Sequence, residues 1–223
     1  MALVDILSAD RFSTYLLWAE GDITLAERLY SYNVQLSADF YSSLHMLEIA
    51  LRNKVDEALT AAFGINWPDN NQVLTEAYQR SCVADAKRTI QGKGKPITHG
   101  QIVAELNFGF WSSLFGRNSN HLWGQILRAI FNTRGLQRPV ISQKLRDLRQ
   151  LRNRVAHYEP ILAQPLASLH ADVLTLTSWM SINASAWITT HSNIAYPATP
   201  IIIPHITSGL SIFDKTLIGH LPA

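Results

Sequence analysis

The chain is poor in cysteine. Cys82 stands alone among 223 residues, which excludes an intramolecular disulfide and points to a reducing compartment, the cytoplasm. Its polar-flanked helical surroundings suit a packed thiol better than a nucleophile. Long apolar runs are missing as well. No segment offers the roughly 18 uninterrupted apolar residues of a membrane span, and the opening MALVDILSADRF lacks the basic flank and apolar core of a signal peptide. The expectation is a soluble protein with no membrane partner. Apolar-polar alternation between hairpin turns is absent, which argues against a sheet. Internal repeats and low-complexity tracts are absent too. Charge is scarce, at 16% of residues with a net of +2, too little by itself to announce a nucleic-acid binder.

What is present is helical periodicity on a chain that is 47% hydrophobic, enough to bury a sizeable core. Ser8 or Asp10 can cap a first helix carrying Phe12, Tyr15, Leu16 and Trp18 and ending near Gly21. A second starts near Asp22 or Thr24, and Ser37 is placed to cap a third, holding Phe40, Tyr41, Leu44, Leu47, Leu51, Val55 and Leu59. A turn-rich INWPDNNQ follows Gly64, then a helix from about Thr75 to Gln91. Thr98 and Gln101 form a capping box for the next. GKGKP before it has the residue types of a phosphate cradle but neither the spacing nor the preceding strand of a P-loop. Around Gly109, Phe108, Phe110, Trp111 and Phe115 suit a core better than base stacking, and Gly109 allows a kink or a close backbone approach. HLWGQILRAIF reads as a further helix. Past Pro165 a long apolar helix continues to about Thr190. The expected organisation is one all-helical domain, 1–190, and an extended proline-containing tail, 191–223.

The only residues that look arranged for chemistry lie between Pro139 and Pro160, PVISQKLRDLRQLRNRVAHYEP. Ile141, Leu145, Leu148 and Val155 recur at helical steps, and the two prolines bracket them as start and stop. Arg152 projects along that apolar stripe and cannot shed its charge, so it requires a carboxylate, carbonyls or an anionic ligand. Arg149, Asn153 and His157 follow at four-residue steps on an adjoining stripe. Basic residues crowd the same region: Arg128, Arg134, Arg138, Lys144, Arg146, Arg149, Arg152 and Arg154, opposed within it only by Asp147. Such a run is either a basic binding surface or a solvated helix face. On the earlier helix, His45, Glu48, Arg52 and Asp56 fall on one side. Glu48 either pairs internally, with Arg52 or with Arg152, or else Glu48 or His45 joins the site.

Three blocks, LEIALRN at Leu47–Asn53, ELNFGFWSSLF at Glu105–Phe115 and LRNRVAHYEPI at Leu151–Ile161, together resemble the Abi-like (abortive infection) family of bacterial proteins, within the HEPN group of all-helical domains. The resemblance spans roughly residues 8 to 190, with the blocks in the family's order. It implies a HEPN-like multi-helix bundle and a metal-independent endoribonuclease needing no cofactor, acting in phage defence or a toxin-like role. It also implies a homodimer with a composite site, RNA as substrate, and an antitoxin or regulatory RNA as a further partner. Arg152, Asn153 and His157 match the family's catalytic positions. Lys144, Arg146, Arg149 and Arg154 would hold RNA, with His45, Glu48, Arg52 and Glu159 in support and Glu159-Pro160 shaping the turn.

The chemistry is consistent with those residue types. Attack of a 2′-hydroxyl on the adjacent phosphate needs a base, an acid and stabilisation of added negative charge. An imidazole can serve as base or acid, a guanidinium can hold phosphate oxygens bidentately, and an amide can orient either. One histidine does not readily perform both proton transfers, hence the second copy. The alternative is a non-cleaving RNA-binding or interaction module of the same fold. In the blandest reading His157 only caps its helix and Arg152 only pairs with Glu48.

Overall fold

Between Asp22 and Phe63 the sequence contains neither proline nor glycine, and Ile23–Phe63 folds as one helix of 41 residues. Asp22 Oδ1 accepts from Leu25 N at 3.0 Å at its start, and Gly64, with φ +79, closes its end. The expected new cap at Ser37 is therefore corrected. A capping serine needs extended backbone at its own position, and nothing here enforces a break. The buried series Leu29, Leu36, Phe40, Leu44, Leu47, Leu51, Val55 and Leu59 runs straight through that point.

A computed structural model describes residue 3, residues 6–192 and residue 194. The described chain is all-helical, as expected, with no strand. Its α-helices are α1 (Ala9–Trp18), α2 (Ile23–Phe63), α3 (Ala77–Gly92), α4 (His99–Glu105), α5 (Phe108–Ser113), α6 (Asn120–Gln125), α7 (Arg138–Ala156), α8 (Leu166–Met180) and α9 (Ile182–His191). Among the described residues no helix is long and apolar enough to cross a membrane. The expected extended tail lies almost wholly outside the described residues. The chain divides into two compact units: the described residues up to Ser43 with Gln150–Ala171, and Leu44–Arg149 with Asp172–Thr190.

In the first unit Ser8 caps α1, its side chain accepting from Arg11 N. Phe12, Tyr15, Leu29, Leu36, Phe40 and Ile161 are buried to 2% exposure or less, each contributing on the order of 2 kcal/mol by loss of apolar surface to water. Tyr15 sits edge-on to both Trp18 and Tyr30, with ring centroids 5.4 Å apart in each pair. Asn33, on α2, is buried, and its Oδ1 accepts from Ile161 N at 2.7 Å. That bond anchors the chain leaving α7 to α2.

The second unit is built on aromatics. Phe108, Phe110, Trp111 and Phe115 are all buried, Trp67 stacks on Phe110, and Trp111 Nε1 donates to Leu106 O at 3.1 Å. They are core, with no face left for a base. Gly109 lies inside α5 and serves as a close approach rather than a kink: a Cβ there would stand 2.8 Å from Tyr78 Oη and 2.9 Å from Asn107 Oδ1. Two other expected helices are interrupted. HLWGQILRAIF breaks at Ile126 into α6 and a tight 3-10 turn, Leu127–Ile130. The apolar helix expected to reach Thr190 stops at Met180, because Ser181 accepts from Ala184 N at 3.2 Å and starts α9.

Candidate functional site

Helix α7 begins where the sequence indicates, with Pro139 in its first turn. Ile141, Leu145, Leu148, Leu151 and Val155 form its buried row. Arg152 shares their direction yet is half-buried rather than enclosed, as a long stem with an outward-reaching head allows. Along the adjoining stripe exposure rises toward the helix end: Arg149 is half-buried, while Asn153 and His157 are exposed. The titratable ring and the amide therefore stand in solvent at the last turn of α7, one helical turn apart. His157 N donates to Asn153 O at 2.9 Å.

The turn that follows is tightly fixed. Tyr158 N donates to Val155 O at 3.2 Å and Glu159 N to Arg154 O at 2.8 Å, the paired bonds of a Schellman ending, with Tyr158 in the left-handed position at φ +57. Glycine normally occupies that position, since a side chain there costs about 1 kcal/mol. Arg154 ties the loop down from the side: its guanidinium faces the Glu159 carboxylate at 3.4 Å and donates to Pro160 O at 3.4 Å. Beyond it, the Ile161–Asn33 bond completes the clamp. The Tyr158 ring is 73% exposed and lies under the Arg11 guanidinium, 5.9 Å from ring centre to Cζ, within cation-π range. Its role could not be read from motif spacing. One signal was available: helices that end shortly before a proline commonly close on a left-handed residue, and HYE contains no glycine or asparagine to supply one.

The other expected site residues are distributed more widely. Arg152, Asn153, Arg154, His157 and Glu159 meet at the end of α7 in the first unit. Lys144, Arg146 and Arg149, earlier on α7, and His45, Glu48 and Arg52, on α2, belong to the second. Lys144 is engaged with Asp172, and Arg138 with Asn120 and the Phe115 carbonyl. Of the basic residues in the run from Arg128 to Arg154, Arg128, Arg134 and Arg146 are exposed. The basic surface is thinner than the sequence run suggests, because several of its charges are used inside the fold. Arg52 Nε donates to Asn53 Oδ1 at 3.3 Å, and His45 is exposed.

Asp56 leaves its expected grouping altogether. Its Oδ1 accepts from Trp67 Nε1 at 2.9 Å and lies 2.9 Å from His99 Nε2, a carboxylate-imidazole-indole cluster that α2 spacing alone could not reveal, since both partners come from elsewhere in the sequence. Cys82 is half-buried, and burial pushes its thiol up, as suits a packed thiol. Among the described residues no three of His, Cys, Asp and Glu converge closely enough to hold a metal ion.

Comparison with protein-family models, with curated proteins and with solved structures finds no match.

Proposed function

We propose that the end of α7 is the working part of a metal-independent endoribonuclease. The observation that supports it is the solvent-facing display of His157 and Asn153 beside Arg152, on a turn held in one shape by the Arg154–Glu159 pair and the Schellman bonds. In this reading Arg152 binds a phosphate oxygen, His157 exchanges a proton with the 2′-hydroxyl or the departing 5′-oxygen, and Asn153 orients one of them. The other proton transfer requires the His157 of a second copy. The Abi-like and HEPN resemblance of the sequence is the sole support for a role in phage defence or toxicity, and for control by an antitoxin or regulatory RNA.

The test is cleavage of single-stranded RNA in EDTA. Wild type is expected to cut, and His157→Ala to lose at least about a hundredfold, the lower range for general acid-base catalysis. Undiminished cutting by the variant removes the assignment.

A second reading rests on the end of α7 presenting one imidazole, His157, where two proton transfers are needed: a module that holds RNA without cutting it. Filter binding distinguishes the two. Affinity that falls steeply with salt while the RNA stays intact favours the module.

A further inference from the structure

Beside the α7 turn lies a groove of about 410 Å³ that the nuclease reading leaves unused. Its floor is one face of α2, where Tyr30, Asn33, Val34, Ser37 and Tyr41 recur at helical steps; Val155 and Tyr158 wall one side and Arg11 contributes from α1. All belong to the first unit. We infer that this groove receives an unpaired nucleobase of the RNA whose backbone passes His157, an inference that rests on the proposed function for its occupant.

The lining favours a base over an aliphatic ligand. Three of its side chains are phenol rings, and two of these are strongly exposed, Tyr41 at 63% and Tyr158 at 73%. Unpaired bases are held by stacking on aromatic side chains of this kind. The lining contains no acidic residue, and its one charge is the Arg11 guanidinium over Tyr158, so the field suits a polyanion. Ser37 Oγ is closed off from solvent, so a base in this groove is held by its faces, against the phenol rings, rather than by that hydroxyl. The volume falls within the range of small-ligand sites and accommodates one nucleoside.

Position links the groove to the proposed chemistry. Tyr158 directly follows His157, and its left-handed backbone, held by the Schellman bonds, carries the ring to the groove wall. A base seated there would fix the adjoining phosphate near the imidazole. A tyrosine at a position where glycine is easier then serves the groove and not the turn alone.

The experiment uses a ten-nucleotide single-stranded RNA with one 2-aminopurine, titrated with the full chain carrying His157→Ala so that the probe stays whole. Quenching on binding is expected, with little for the same sequence in a duplex. Adding Tyr41→Ala or Tyr158→Gly should weaken binding roughly tenfold each, in keeping with one lost stack. Tyr41→Phe should retain it, and Tyr158→Gly suits the left-handed backbone, so misfolding does not explain a loss. Binding and quenching indifferent to both aromatic variants, or equal for duplex and single strand, overturn the groove assignment even if wild type cuts RNA. Groove-dependent binding without any cutting by wild type supports the groove and overturns only the nuclease reading.

Discussion

Tyr158 concentrates the local energetics of the site in one residue. Its left-handed backbone is a cost that the Schellman bonds and the Arg11 contact offset. Comparing Tyr158→Gly with Tyr158→Ala isolates the backbone part, since both lose the ring. The glycine variant should be the more stable by about 1 kcal/mol in chemical denaturation, and equal midpoints would show that the turn relaxes. His170, also in the first unit, gives a pH signature. It packs edge-on against Phe40, with ring centroids 5.9 Å apart, and burial pushes its pKa below the ordinary 6.5. The folded chain holds it neutral, whereas the unfolded chain binds a proton more readily. Its contribution to stability is therefore complete above pH 6.5 and is lost as pH falls from there toward the depressed folded value. The stability of wild type relative to His170→Leu should fall as pH is lowered across that interval, and a difference independent of pH would contradict the assignment.

At the scale of elements, Ser37 separates two pictures of α2. Were it a cap, Ser37→Ala would destabilise by about 1 kcal/mol. In the middle of a continuous helix, with an unpartnered hydroxyl, the same change should be neutral or stabilising by a few tenths of a kcal/mol, read from the thermal midpoint. The contrast shows which parts of this structure are legible in sequence. Helix identity, the proline-bracketed α7 and its buried row follow from periodicity and local stop signals, as do the Ser8 and Thr98 caps. A serine does not reveal whether it caps or is bypassed, because that depends on whether the chain around it stays helical. Ser181 does cap, and there the reading expected an unbroken helix. The candidate site divides in the same way. The exposure of Asn153 and His157 accords with their stripe on α7. The pairing of Lys144 with Asp172, the Asp56–His99 contact and the groove under Tyr158 depend on residues far apart in sequence, which no spacing rule brings together.

At the scale of the whole molecule, the proposed chemistry makes the number of copies part of the mechanism. If each phosphate needs imidazoles from two chains, light scattering of the active protein should give twice the 25.0 kDa chain mass, and cutting per chain should fall on dilution into the monomer range. Constant activity per chain in that range would require a single copy to supply both proton transfers. The interleaving of the two units carries a further consequence, for synthesis. Residues up to Ser43 and Gln150–Ala171 complete one unit, while Leu44–Arg149 lie between them in the sequence. A growing polypeptide must therefore leave the ribosome with its opening helices waiting for partners not yet translated. The surface bearing His157 cannot assemble until translation has passed it, so a nascent chain released early would carry no finished copy of it.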